Sequence, residues 1–250
     1  MKEQPKDDPV PVVRSKRVLM VVSAATEWPL ADGSKMPVGY WANEVEVPIT
    51  RLRAAGYTVD IVTPGAKTPT PDPASLSTDP AKAKAMRESL AKIDGLAKPG
   101  TLESLTERAA MERYAAVVIP GGYGPMVDLS ASPAMLEVLY GAMMQNKIVA
   151  AICHGPAAFL STVRPPAPWS FAGYRMAPFT NAEEAAWLKE RKLAWQLEDA
   201  LRKNGAKIES GGVWESTVVR DRNLITAQSS PSVGAWTDAI LAALAEPPGK

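Results

Sequence analysis

Residues 148–159 read IVAAICHGPAAF, and this stretch decides the fold. Its first five residues form an uninterrupted apolar run, the pattern of a strand buried on both faces. Cys153, His154, Gly155 and Pro156 follow at once. From Ala151 to Gly155 the form is small-x-nucleophile-x-Gly, the layout of a nucleophile elbow. In such an elbow the chain turns sharply from strand to helix, and small neighbours let the two approach closely. Cys153 then sits at the N-terminal end of a helix, whose positive end is expected to favour thiolate and lower the thiol pKa. A buried structural thiol gives the same local pattern, because free cysteines are commonly buried. Both readings stand on this stretch alone.

Cys153 and His154 are the single cysteine and single histidine of 250 residues. A cysteine hydrolase of the usual kind takes its base from a histidine elsewhere in the chain. None exists here, so the thiol must be managed by the helix end, by His154, by a carboxylate, or by His154 of the partner subunit. The bland reading of His154 is a solvent-facing or helix-capping residue. One cysteine cannot close an internal disulfide, which fits a reducing, cytoplasmic setting. A processed secreted or periplasmic chain is the alternative, although MKEQPKDDPVPVVRSKR has no apolar signal core.

Outward from the elbow, RVLMVVS (17–23), TVDIVTP (58–64) and AAVVIPGG (115–122) read as further buried strands. KIES (207–210) and WESTVVRDRNLITA (214–227) read as later strands, the second with a turn at 221–223, and WSFAGYRMAPFT (169–180) as strand-like. Helices are expected over 40–56, 81–96, 101–112, 133–147 with Ser132 as cap, 181–205 and 231–246. In the first of these, Trp41, Val45, Ile49 and Leu52 share one face, and Pro48 lies inside. This alternation predicts an α/β fold with a doubly wound, mostly parallel sheet sandwiched by helices. One domain is expected over 17–246, with a helical, loop-rich insertion at 66–112 and a disordered tail at 1–16.

Apolar residues make up 46% and charged residues 22%, enough for a packed core. A net charge of +1 leaves no footprint for nucleic acid. No apolar run approaches the ~18 residues of a membrane span. Gly121 and Gly122 end a strand, where absent side chains leave backbone N–H groups open to an oxyanion, with the His154 N–H as a second donor. A tight turn alone is the other reading of these glycines.

Three stretches then make the chain familiar: AAICHGPAAFL (150–160), VVIPGGYGPMVDLS (117–130) and DGSKMPVGYWANEVEVP (32–48). Together and in order they resemble the ThiJ/PfpI superfamily of the class I glutamine amidotransferase-like fold. Within it they look most like the branch of heat-shock chaperones and glutathione-independent glyoxalases (glyoxalase III). The resemblance implies a flavodoxin-like sandwich with Cys153 at the elbow. It also implies a glutamate from the helix after the first strand, five residues after a Gly and four before a Pro. Gly39, Glu44 and Pro48 match that spacing, and Glu46 does not. A carboxyl beside the sulfur should have a raised pKa from burial and like charge, and could shuttle a proton. The bland reading of Glu44 is a first-turn glutamate favoured by the helix dipole.

The chain departs from the branch in two places. Tyr123 stands where the branch often has His, and AQSSPS (227–232) replaces a segment usually close to GQNPAS. FTNAEE (179–184) matches a segment that approaches the site. Of the seven tryptophans, Trp28, Trp41 and Trp214 are candidates for the pocket wall.

What the resemblance implies for function is a cysteine-dependent enzyme on small 2-oxoaldehydes, a glyoxalase III-like lyase of the D-lactate dehydratase type or a related deglycase. Cys153, Glu44 and His154 would be catalytic, and Gly121, Gly122 and Tyr123 would bind substrate or oxyanion. No metal or cofactor is expected. The partner is a small aldehyde, with neither nucleic acid nor membrane, and the assembly a homodimer. The rival from another class is a stress-response holdase with Cys153 as redox sensor. A peptidase or amidase is a weaker rival, disfavoured by the lone histidine.

Overall fold

The computed structural model describes residues 15–247, Glu190 and Lys192 excepted. The tail expected at 1–16 therefore falls almost wholly outside the described residues. β1 (Arg17–Val21) opens the sheet with strict alternation: Val18 and Met20 pack on one face, Leu19 and Val21 on the other. A short hairpin follows, β2 (Glu27–Pro29) with β3 (Lys35–Pro37). α1 (Ala42–Ala54) runs through Pro48, whose missing N–H forgoes the bond to the Glu44 carbonyl.

β4 (Thr58–Thr63) leads into a region containing α2 (Pro80–Ala91), α3 (Asp94–Ala97) and the two-residue β5 (Gly100–Thr101). The helix expected over 101–112 is instead two 3-10 segments, Leu102–Leu105 and Arg108–Arg113. Leu102 and Leu105 are buried three residues apart, the spacing that a 3-10 turn stacks on one side. β6 (Ala116–Ile119) and α4 (Gly124–Asp128) follow, and then α5 (Pro133–Met144), whose cap Ser132 accepts from the Met135 N–H at 3.2 Å.

β7 (Ile148–Ile152) is buried along its whole length, as the opening stretch predicts. The helix after the elbow is a 3-10 helix, Gly155–Thr162. Residues 169–180 hold only β8 (Arg175–Met176). The single helix expected over 181–205 is two, α6 (Asn181–Leu188) and α7 (Leu197–Lys203), because Lys189 takes φ 55° and ends the first. β9 (Lys207–Ile208), the hairpin β10 (Val218–Asp221) and β11 (Leu224–Ala227), and α8 (Val233–Ala245) complete the chain.

The seven-stranded sheet runs β10-β11-β7-β6-β1-β4-β5, parallel throughout except for the β10–β11 pair. From β1 the chain winds outward through β4 and β5, then returns to β6 and winds the other way. The strand order thus reverses between β1 and β6. In open α/β sheets ligands bind at such a reversal, beyond the carboxyl ends of the strands. α1 and α8 cover one face, with Val45, Ile49, Trp236 and Ile240 in its core. α5 and the 3-10 helix after the elbow cover the other, with Met135, Leu139 and Phe159. Among the described residues, no helix is long and apolar enough to cross a membrane.

Candidate functional site

Cys153 leaves the end of β7 with φ 60°, a left-handed conformation that is strained for a side chain of this kind. Both of its backbone groups are tied down. Its N–H donates to the Ala227 carbonyl at 2.9 Å, and its carbonyl accepts from the Phe179 N–H at 2.9 Å. The small neighbours are required by contact: a Cβ on Gly121 would lie 2.6 Å from the Cys153 Cβ. The elbow read from the sequence is formed, and it aims the sulfur into a cavity of about 200 Å³.

α1 brings Glu44 to the Cys153 side chain, although the carboxyl does not itself line the cavity. Its approach is fixed from outside the helix, where the Trp41 N–H donates to the Gly121 carbonyl at 3.1 Å. Glu44 is fully buried in the first turn of α1. Its Oε2 accepts from the Gly121 N–H at 2.9 Å. Among the described residues its Oε1 has no hydrogen-bond partner, and the side chain that acts on this carboxyl is Cys153. Burial pushes the carboxyl up to about 8, against the opposing pull of the Gly121 N–H and the thiol. Gly121 therefore holds the glutamate instead of standing open to an oxyanion, as the sequence suggested. The Gly122 and His154 N–H groups do bear on the Cys153 sulfur.

The thiol does not follow the expectation drawn from a helix end. Burial pushes it well up, and the Glu44 charge adds to this, outweighing the Gly122 and His154 N–H groups. The reason is structural. A 3-10 helix begins at Gly155, and the sulfur lies in a dry site facing a carboxyl, not in solvent at the end of a long α-helix.

His154 folds back on its neighbour, with Nδ1 3.3 Å from the Cys153 Sγ. Its Nε2 lies 2.6 Å from the Oε1 of Glu184. The Oε2 of Glu184 accepts from the Tyr123 hydroxyl at 2.6 Å. Burial, and then Glu184, hold that hydroxyl well above its ordinary range, so Tyr123 stays a donor. With Nε2–H donating to Glu184, the Nδ1 lone pair faces the thiol. A Cys–His–Glu relay is thus assembled from adjacent Cys and His, without a distant histidine.

Glu184 was not singled out by the sequence reading. Its signal was present in TNAEE: Thr180 and Glu183 form a reciprocal capping box at the start of α6, and a second buried glutamate follows. Of the tryptophans considered, Trp41 and Trp214 line the cavity. Trp28 is instead buried behind Tyr123, with ring centroids 5.6 Å apart. Trp187 lines the cavity without having been anticipated. Ser229 and Ser230, in the departing segment 227–232, also reach it. Asp72 is buried nearby, close enough to feel His154.

The model of the DJ-1/PfpI family matches residues 38–164, a span holding Glu44, Gly121, Gly122, Tyr123, Cys153 and His154. The protein/nucleic acid deglycase HchA of Pseudomonas aeruginosa (strain UCBPP-PA14) is 28% identical over 233 residues, covering 89% of this chain and 79% of that protein. Among solved structures, the Rapid Encystment Protein 24 KDa of Francisella tularensis superposes with a TM-score of 0.78 at 24% identity, covering 92% of this chain and 99% of that one. Glyoxalase III of Candida albicans superposes with a TM-score of 0.71 at 19% identity, covering 91% and 96%. At these identities the two structural likenesses bear on the fold.

Proposed function

The chain belongs to the DJ-1/PfpI family, and from that premise we propose that it is a cysteine-dependent enzyme acting on 2-oxoaldehydes, as a glutathione-independent glyoxalase or a deglycase of their adducts. The observation that carries this reading is the Cys153 thiol between two proton carriers, the Glu44 carboxyl with its unpartnered Oε1 and the His154 ring held by Glu184. The similarity to a protein named as a deglycase points to the same carbonyl chemistry.

In the reaction with methylglyoxal, the sulfur adds to the aldehyde carbon. A C–S bond forms, the C=O π bond opens, and the thiol proton passes through His154 Nδ1 to the new oxygen, giving a hemithioacetal. Glu44 then takes the proton from the former aldehyde carbon and returns one to the neighbouring ketone carbon through an enediol. The first carbon is oxidised to a thioester and the second is reduced to an alcohol, so no outside oxidant enters. Water cleaves the C–S bond, the thiol regains its proton, and lactate leaves. The Gly122 and His154 N–H groups, beside the sulfur, support the developing oxyanion. A carboxyl near 8 suits such shuttling, because it exchanges protons readily at neutral pH.

The test is lactate formation from methylglyoxal by the wild-type chain, Cys153→Ala and Glu44→Gln. Turnover should vanish in Cys153→Ala and fall by more than about 100-fold in Glu44→Gln. Lactate formation that persists in Cys153→Ala would end this reading. The lyase assignment of the D-lactate dehydratase type rests on the same experiment, with the product's handedness resolved.

A further inference from the structure

The cavity has an outer wall that the proton transfers do not use. Trp41 precedes α1, Trp187 lies near the end of α6, and Trp214 lies in the loop before β10. Three separate parts of the chain thus deliver three indoles to one mouth. Trp41 meets Trp187 edge-on, with centroids 5.7 Å apart at 73°, and Trp187 meets Trp214 at 6.2 Å and 76°. Trp214 touches Phe179 at 5.7 Å, and Phe179 stacks on the His154 ring at 4.4 Å and 29°. Aromatic surface therefore runs from solvent to the imidazole of the site. Edge-on contacts leave ring faces uncovered by one another, the arrangement into which a further ring inserts.

The polar side chains of the wall are already engaged. Ser229 Oγ donates to Glu183 at 2.7 Å, Ser230 Oγ to Asn43 at 2.9 Å, and the Tyr123 hydroxyl to Glu184. Among the described residues, no Lys, Arg, Asp or Glu lines the cavity. The placement of Trp214 is also enforced. Its φ of 61° is strained for a bulky residue, yet its N–H is held at 3.2 Å by the buried Glu183, which grips Ser229 through the same oxygen.

A three-carbon aldehyde would touch little of this surface. We propose that the preferred substrate is an uncharged 2-oxoaldehyde, or an adduct of one, bearing an aromatic group on the ketone carbon, with Trp41, Trp187 and Trp214 as its specificity residues. This rests on the function proposed above, with the same balance of bonds: phenylglyoxal and water give mandelate.

The experiment compares kcat/KM for phenylglyoxal and methylglyoxal in the wild type, Trp41→Ala and Trp214→Ala. Met144→Ala, at the far exposed end of α5, serves as control. The phenylglyoxal-to-methylglyoxal ratio should fall about tenfold in each tryptophan variant, mainly through KM, and hold in the control. In parallel, calorimetry on Cys153→Ala measures binding of acetophenone and acetone, neither of which can be turned over. Acetophenone should bind at least about tenfold more tightly, and Trp214→Ala in the same background should remove that preference. Methylglyoxal turnover with an unchanged ratio and no preference for acetophenone overturns the aromatic specificity and leaves the reaction standing. Preference for acetophenone without turnover of either aldehyde overturns the reaction and leaves an aromatic-ligand site.

Discussion

Burial makes both Glu44 and Cys153 harder to ionise; the Glu44 charge raises the thiol further, whereas the thiol draws the carboxyl back down. Removing the glutamate's charge should therefore ease loss of the thiol proton. Glu44→Gln is expected to raise the rate of Cys153 alkylation by iodoacetamide several-fold at pH 9, where the wild-type carboxyl is ionised. Equal or slower alkylation would show that the carboxyl supports the thiolate instead. Glu184 acts through His154 and is a positioning residue in the proposed reaction. In Glu184→Gln, kcat should drop about 10- to 100-fold with little change in KM, since the imidazole loses its anchor while the cavity wall stays in place. A loss confined to KM would assign Glu184 to substrate binding. The sequence showed Cys153 by its place in the elbow and by rarity, and His154 by rarity and adjacency. Glu44 stood out only through the Gly39–Glu44–Pro48 spacing of the family the chain resembles, and Glu184 was hidden because a buried glutamate in a first helical turn looks like an ordinary dipole partner.

At the scale of elements, the site depends on the turn after β6 meeting the segment before α1. Gly122 has φ 80°, and a Cβ there would overlap the Gly39 carbonyl oxygen. Gly122→Ala combines backbone strain with a clash against backbone, so it should destabilise the fold by roughly 2–4 kcal/mol, read by urea unfolding. An unchanged midpoint would mean that this turn is not closely packed. Long apolar strands were legible at this scale because burial on both faces leaves a continuous run. Ile148–Ile152 was read to the residue, whereas 101–112 and 181–205 were not. Helical periodicity does not separate a 3-10 segment from an α-helix over one turn, and it cannot register a single left-handed residue such as Lys189.

For the whole molecule, a buried carboxyl links stability to pH. The folded-state pKa of Glu44, about 8, lies above its ordinary 4.5, so the native chain holds a proton that the unfolded chain releases. Its contribution is most favourable below pH 4.5, is lost as pH rises toward 8, and is level beyond. Over that window the cost is roughly 3–5 kcal/mol. Glu44→Gln has no such proton to lose. Its unfolding free energy should match the wild type near pH 5 and exceed it progressively toward pH 8. A gap that does not widen with pH would mean that the carboxyl is ionised in the native protein at ordinary cost.

The sequence by itself determined the layered α/β order, the elbow and the pairing of the one thiol with the one imidazole. These are written in local runs and in adjacency. Only the tertiary structure decided which carboxylates face the thiol and the imidazole, which direction the thiol's pKa takes, and that Trp41, Trp187 and Trp214 meet. Those depend on the separation and dryness of groups 27 to more than 100 positions apart, quantities set by packing of the sheet and its helices and invisible in any window of the chain.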